Sequence, residues 1–340
     1  MTKQQTIQIK GVAILMMLWL HLFSNYDTVE HCSNFLTFWN GDYMAFVLKK
    51  LCSMCVPIYI FLGGYGLAKT YLAATKMNNN IRVLTLYVNF WIIFLLSYPI
   101  GCLLNPALFM NSISEICANA IAFDCTFNGA WWFLFPYALI TLASSKLIEF
   151  LKYGSRKRII CYFTVALILF VISYVRLEAI DSHDWLSLIE VNAWRTAEML
   201  LMFGAGVMFA LHNVIERVSL PKSSIVLWVL FVVLILLKLS IGASSLLHPP
   251  FVLAMILIWC RLQHSKITNN ILAFIGKHST NLWLIHYFFF AYIAHGELYA
   301  LKYPIAIYLS LVAVSLFTSM LISMIFQPLR NHLRKSIHVA

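Results

Sequence analysis

The chain has 340 residues, of which 61% are hydrophobic and 11% charged, and it carries a formal net charge of +11. Its mean hydropathy is +0.82, whereas a soluble domain is about 45–50% apolar and about 25% charged, so the composition excludes an ordinary soluble protein. A transmembrane helix needs about 20 mostly apolar residues, so about ten helices would use nearly all of the chain. We therefore predict an all-α, polytopic integral membrane protein of about ten transmembrane helices, with a single domain over residues 1–340.

Apolar runs long enough to span a bilayer follow one another along the chain with short loops between them. The predicted spans are 7–25, 51–73, 82–103, 130–149, 159–175, 196–212, 223–241, 246–262, 279–296 and 304–327. Polar residues interrupt the stretch 104–129, which we predict as an interfacial helix. The first run is too long for the hydrophobic region of a signal peptide, so we expect no cleavable signal.

The distribution of charge predicts the orientation of the chain. With the N-terminus in the cytoplasm, most Lys and Arg fall in cytoplasmic loops, of which Arg156-Lys157-Arg158 is the most basic, and most acidic residues fall outside. The positive-inside rule then predicts a bacterial inner-membrane protein with both termini in the cytoplasm. Basic loops beside anionic lipid account for the net charge, so we expect membrane lipids and no nucleic acid as partners.

The first predicted span carries two ionisable residues, Lys10 and His21. Their separation of eleven residues is about three turns plus ~20°, which puts both on one helix face, ~16.5 Å apart along the axis. Ionisable groups inside a membrane are functional candidates because they are costly to insert. One interpretation is a cation near the cytoplasmic mouth and a catalytic imidazole deeper in. The alternative is an interfacial anchor at Lys10 and a structural interhelical hydrogen bond at His21.

The second and third spans add two further signals. The second span contains Pro57 and three glycines within 62–66, a pattern typical either of a broken helix lining a pocket or of close helix packing. The third begins with Arg82, which is either an interfacial anchor or a phosphate ligand, since its planar guanidinium suits a phosphate.

The ninth span supplies a second candidate acid or base. Ser279, Trp283 and His286 share one helix face, with Asn281 nearby. His286 is therefore a candidate for proton transfer, and the competing interpretation is a structural, hydrogen-bonded histidine.

Taken in order, these positions resemble the motifs of membrane-bound acyltransferase family 3, and the resemblance covers most of the chain. The family's opening helix has an Arg followed eleven residues later by His, and here Lys10 replaces that Arg. The second helix of the family ends in Ser-Gly-Tyr or similar, and here Gly63 stands at the Ser position. The remaining matching segments are Arg82, Ala130-Trp131-Trp132-Phe133-Leu134 and Ser279-Thr280-Asn281-Leu282-Trp283-Leu284-Ile285-His286.

The resemblance implies an acyl-coenzyme A donor, most often acetyl-coenzyme A, and an acceptor hydroxyl on a cell-surface or lipid-linked glycan, with no metal. It implies that His21 is the catalytic group, either as general base or as acyl carrier, with His286 as a second candidate. The residues expected to contact the two substrates are Lys10, Arg82, Arg156 and Arg158 for the donor, and Trp131, Trp132 and Arg195 for the acceptor.

The rival interpretation is a transporter or flippase without chemistry, since many spans and intramembrane polar groups also fit that class. Transporters often carry paired helix interruptions in two related halves. The counterpart of the second span, 223–241, has only Gly242 just beyond it, which weakens this alternative. Cys52 and Cys55 are expected to pack rather than bind metal, and self-association and disulfide pairing remain open.

Overall fold

The computed structural model describes residues 1–24, 43–73, 78–180, 184–241 and 245–338, with side chains described as far as Leu329. This part of the chain forms helices and no strands, which confirms the all-α prediction. In chain order the α-helices are α1 Lys3–Leu22, α2 Met44–Cys52, α3 Cys55–Ala73, α4 Asn79–Leu104, α5 Pro106–Phe109, α6 Ile113–Ala120, α7 Leu134–Tyr153, α8 Arg156–Ala179, α9 Trp185–Leu211, α10 Val214–Arg217, α11 Ser224–Ile241, α12 His248–Trp259, α13 Lys266–Phe288, α14 His295–Tyr299 and α15 Pro304–His338.

Eight stretches of the described chain are long and apolar enough to cross a membrane, which confirms a polytopic membrane protein. They are Lys3–Leu22, Met44–Ala73, Asn79–Leu104, Gly129–Tyr153, Arg156–Ala179, Trp185–Leu211, Ser224–Ile241 and Pro304–Leu329. The predicted span 246–262 corresponds to a shorter apolar helix, Ser245–Trp259. The predicted span 279–296 lies in α13 and the π-helical turn Phe289–Ile293. The helix at 246–262 is therefore shorter than the eight long apolar stretches, and the one at 279–296 is more polar than they are.

The segment between α4 and α7 differs from the predicted interfacial helix. It forms the two short helices α5 and α6 and then a 3-10 turn at Gly129–Phe133. Phe109, Asn119 and Phe127 are buried in it, and the Phe109 ring lies 6.0 Å from Phe288 of α13. The segment is irregular because Asn and Asp side chains bond its backbone, as in the bond from Phe127 N–H to the Asn119 side-chain oxygen at 3.1 Å.

Polar side chains fix where several long helices begin. The hydroxyl of Thr2 accepts a hydrogen bond from Gln5 N–H at the start of α1, and the Gln5 side chain accepts one from Thr2 N–H. Asn78, Ser155 and Ser265 cap α4, α8 and α13 in the same way through their side-chain oxygens. Such caps satisfy N–H groups that have no partner inside the helix.

The helix α3 runs without a break through its glycines. A Cβ atom on Gly64 would overlap the carbonyl oxygen of Phe203 in α9, and one on Gly206 of α9 would overlap that of Phe61. Of the two interpretations of this segment, close helix packing is therefore the one that the structure supports.

A second close contact joins α1 to α13 and positions the site. A Cβ atom on Gly11 would overlap the carbonyl oxygen of Leu272, and one on Gly276 would overlap that of Ile7. Since only glycine allows this approach, the two backbones touch here, and side chains further along both helices are brought together.

Candidate functional site

The two candidate histidines meet in the structure. His21 lies in the last turn of α1 and His286 in the last turn of α13, ten residues beyond Gly11 and Gly276 respectively. Nδ1 of His21 lies 2.6 Å from Nε2 of His286, and the two ring planes are only 4° from parallel. This is hydrogen-bond geometry, so the two imidazoles form a dyad.

The neighbours of His286 fix the direction of this hydrogen bond. Nδ1 of His286 lies 3.0 Å from the carbonyl oxygen of Leu282 and 2.9 Å from that of Trp283. Carbonyl oxygens only accept, so Nδ1 of His286 must carry a proton, and in a neutral ring Nε2 is then an acceptor. His21 consequently donates from Nδ1, which leaves the lone pair on Nε2 of His21 unprotonated. A free lone pair is what a general base or a nucleophile requires.

Burial separates the roles of the two rings. His286 is fully buried, whereas His21 is partly exposed. The hydrogen-bonded chain therefore starts at the backbone of α13 and ends at the imidazole that another molecule can reach. The π-helical turn Phe289–Ile293 follows directly after α13, and such turns are frequent at functional sites.

The 3-10 turn Gly129–Phe133 holds the backbone of α13 just before His286. The indole N–H of Trp131 donates to the carbonyl oxygen of Leu284 at 2.9 Å, and that of Trp283 donates to Ala130 at 2.6 Å. Trp131 is fully buried, with its ring 4.9 Å from Phe90. It therefore packs in the core and offers no surface to a saccharide, which contradicts the expected stacking at this residue.

Trp132 and Arg195 lie together on the other side of this turn. The guanidinium of Arg195 sits 5.1 Å from the centre of the Trp132 ring, a favourable cation–π distance. Both side chains are partly exposed. Their pairing is consistent with the predicted acceptor contact, which remains a prediction.

A cavity of about 810 Å³ opens beside the start of α4 and is lined by residues of α1, α4, α13 and α15. Its described lining includes the cations Lys10, Arg82 and Lys277 and contains no carboxylate. The deeper lining is polar and uncharged, with Asn89 and Asn281 among its members. A wide basic mouth above a neutral polar floor suits a ligand that carries phosphates at one end.

A narrow cavity of about 90 Å³ also touches Lys10 and extends towards the dyad. It is lined by Met17 of α1 and Trp283 of α13. Met17 precedes His21 by four residues and Trp283 precedes His286 by three, so the narrow cavity ends about one helical turn, ~5 Å, before the two imidazoles. Lys10 therefore lies between the basic cavity and a narrow, mostly apolar cavity that extends towards the dyad.

The predicted donor residues Arg156 and Arg158 lie elsewhere. Arg158 lines a separate apolar cavity with Tyr162 and Leu200, and Arg156 is the exposed first residue of α8. Neither lines the basic cavity. Their predicted contact with the donor has no support in the geometry.

The lining residues that were not among the predicted site residues include Lys277, Asn89 and Asn281. Lys277 directly follows Gly276, the glycine of the close contact, and the two amides are polar groups inside apolar helices. Polar residues within a span are a signal for function. Their meeting could not be predicted, because Asn89 and Asn281 are 192 positions apart. Across the described residues, no group of three His, Cys, Asp or Glu could hold a metal ion.

Comparison with known proteins identifies one related family. A family model described as an acyltransferase domain matches residues 7–324, which includes both histidines and the cavity residues Lys10, Arg82 and Lys277. No curated protein and no solved structure matches the chain.

Proposed function

Because the chain belongs to acyltransferase family 3, we propose that it moves an acyl group, most simply acetyl, from cytosolic acyl-coenzyme A to a hydroxyl of a cell-surface or lipid-linked glycan. The observation that carries the proposal is the His21–His286 hydrogen bond at 2.6 Å. It gives a membrane acyltransferase an accessible imidazole with a free lone pair, beside a passage from a basic cavity.

In this mechanism Nε2 of His21 removes the proton of the acceptor hydroxyl. The oxygen attacks the thioester carbonyl, a carbon–oxygen bond forms and the carbon–sulfur bond breaks. The proton held by His21 then passes to the departing thiolate of coenzyme A. If His21 instead carries the acyl group, the same lone pair attacks the thioester first and the acceptor hydroxyl then attacks the acyl-imidazole.

His286 acts through His21. Its protonated Nδ1 is anchored on the carbonyl oxygens of Leu282 and Trp283, so its Nε2 accepts from His21 and keeps that ring in one tautomer. The positive charge that His21 acquires during proton transfer is shared through the same hydrogen bond, which strengthens when a partner is charged.

The donor fits the basic cavity by charge. Phosphates of coenzyme A would meet Arg82, Lys277 and Lys10 at the mouth, and bidentate contacts suit the Arg82 guanidinium. The thioester end would follow the apolar passage past Met17 and Trp283. The Trp132–Arg195 pair offers an aromatic face and donors for a saccharide.

The positive-inside distribution supports a bacterial inner-membrane location, with the basic cavity on the cytoplasmic side. The cavity lies beside the start of α4 and in the N-terminal half of α1, as its lining by Arg82 and Lys10 indicates. That end carries the N-terminus, in accord with a cytosolic donor.

The test is mass spectrometry of surface and lipid-linked glycans from three cell populations: without the protein, with the wild type and with His21→Ala. We expect glycans that are heavier by one acyl group only with the wild type. Purified protein incubated with acetyl-coenzyme A and the same glycan fraction should release free coenzyme A in parallel. Identical glycans in all three populations would overturn the glycan acceptor. A wild type that carries donor or glycan across vesicles without breaking the thioester would favour the transporter alternative.

A further inference from the structure

The floor of the basic cavity contains a buried acceptor atom with no described partner. The side chain of Asn89 on α4 is 2% exposed and lines this cavity. Its Oδ1 makes no hydrogen bond to the protein residues that the structure describes. An unsatisfied buried polar atom costs free energy, so such an atom next to a cavity indicates that a ligand or water supplies the missing donor.

A chain of hydrogen bonds fixes which atom of Asn89 is left without a described partner. Nδ2 of Asn281 donates to the carbonyl oxygen of Ser319 at 3.3 Å and to Oγ of Ser323 at 3.2 Å. The Ser323 hydroxyl itself donates to that carbonyl at 2.7 Å, so its oxygen is free to accept. Because both neighbours accept, Asn281 cannot be flipped, and its Oδ1 must point to Asn89.

Asn281 in turn orients Asn89. Nδ2 of Asn89 donates to Oδ1 of Asn281 at 2.7 Å. Because Nδ2 of Asn89 is bonded to Asn281, the atom of Asn89 without a described partner is Oδ1. An amide oxygen can only accept a hydrogen bond. The ligand group at this point must therefore be a hydrogen-bond donor, which excludes a phosphate, a thioester and an ether.

The position of Asn89 relative to Arg82 selects among donor groups. Seven residues separate them on α4, which is nearly two turns, so both side chains lie on one face with Asn89 about 10 Å deeper along the axis. Thr85 and Leu86, also in the lining, complete this face. If the phosphates lie at Arg82, the next donors along an acyl-coenzyme A are the hydroxyl of its pantoyl unit and then the N–H groups of its two amides. The depth of Asn89, about 10 Å beyond Arg82, favours the amides, which lie further from the phosphates than the hydroxyl does.

We propose that Asn89 recognises an amide N–H of the pantetheine arm, with Asn281 as the residue that orients it. This inference rests on the proposed function, since it takes acyl-coenzyme A as the ligand. It adds a contact that selects the arm rather than the nucleotide. A free nucleotide would satisfy the cations at the mouth and leave Oδ1 of Asn89 without its donor.

The test uses coenzyme A and two analogues in which one or the other pantetheine amide N–H is replaced by an ester oxygen. This replacement keeps the shape of the arm and removes a single donor. Calorimetry on the wild type should show binding of one analogue weaker by about ten-fold, which is about 1.4 kcal/mol and typical of one lost hydrogen bond. The comparison needs no variant, so it holds even if a substituted protein fails to fold.

A pair of matched variants assigns the effect to Asn89. In Asn89→Leu, coenzyme A and the analogue should bind with equal affinity, because the acceptor is gone. Asn192→Leu is the control, since Oδ1 of Asn192 also has no described partner but Asn192 lies outside the lining of this cavity. That variant should still discriminate by about ten-fold.

The outcomes separate this inference from the proposed function. Equal binding of coenzyme A and both analogues by the wild type would mean that water or the pantoyl hydroxyl satisfies Oδ1, and would overturn the amide contact at Asn89 while leaving acyl-coenzyme A as the donor. Discrimination that persists in Asn89→Leu would place the contact on another residue. No binding of coenzyme A by the wild type would overturn the donor itself and this inference with it.

Discussion

The two ends of the α1–α13 pair differ in everything except the helices that form them. At one end, Lys10 and Lys277 face an open cavity of about 810 Å³. At the other end, His21 and His286 face each other at 2.6 Å with His286 fully buried. The backbones touch at Gly11 and Gly276, the chain neighbours of the two lysines. The cations that would attract the proposed donor are therefore separated from the neutral imidazoles that would perform the chemistry.

This separation has a physical reason. A cation beside the dyad would oppose the positive charge that His21 acquires when it takes a proton. A neutral surrounding at the dyad keeps the lone pair on Nε2 available, while the exposed Arg82 and Lys277 line the open cavity at the other end. Substitutions at the two ends should therefore affect different steps: acyl transfer at the dyad and donor binding at the cavity.

The largest effect is expected at His21. His21→Ala should reduce the rate of acyl transfer by about 10²–10⁴-fold, the usual cost of losing a positioned general base, and by more if the residue carries the acyl group. Binding of coenzyme A, measured by calorimetry, should stay at the wild-type value, because the dyad lies beyond the narrow passage. His264→Ala, which removes a histidine outside both cavities, serves as the control and should be active. An undiminished rate in His21→Ala would contradict the mechanism.

A smaller effect is expected at His286, because it acts through its neighbour. His286→Ala should lower kcat by roughly ten- to hundred-fold, the range for one hydrogen bond lost from a buried network, with KM for the donor unchanged. His286→Gln should recover part of kcat, since its side-chain amide oxygen can accept from Nδ1 of His21. The two variants should be compared at equal thermal stability. If kcat of His286→Gln is no higher than that of His286→Ala, His286 contributes packing and not a hydrogen bond to His21.

The sequence indicated the helices far better than the contacts between them. Apolar runs set the helix positions, because a bilayer fixes the length of each span, and His21 and His286 could each be placed on a face. Their meeting could not be foreseen, since they are 265 residues apart and the contact depends on Gly11 and Gly276 touching across two helices. Trp131 misled for a related reason: its position at a helix start suggests an interface, and only the packing of the turn on α13 shows that it is buried.

Substitutions at the cavity end of the α1–α13 pair should change the affinity for coenzyme A rather than the rate of acyl transfer. This is the smallest effect that we expect. Arg82 is exposed at the cavity mouth, where solvent weakens each charge contact. Arg82→Ala should therefore weaken coenzyme A binding by only about ten-fold, as expected for one charge-assisted contact partly screened by water. Arg82→Lys should restore part of the loss, because an ammonium keeps the charge without the bidentate geometry.

Arg158→Ala is the matched control for Arg82, since it removes the same charge from a residue that lines a different cavity. Its affinity for coenzyme A should equal that of the wild type, and the difference between the two variants should shrink as salt is raised, because screening weakens exposed charges. Turnover at saturating donor should be nearly unchanged in Arg82→Ala, in contrast to His21→Ala. Equal losses of affinity in both arginine variants would indicate a general effect of surface charge and would remove the donor from this mouth. A loss of coenzyme A affinity in Arg82→Ala alone would support donor phosphates bound at the basic cavity, with acyl transfer taking place at the dyad.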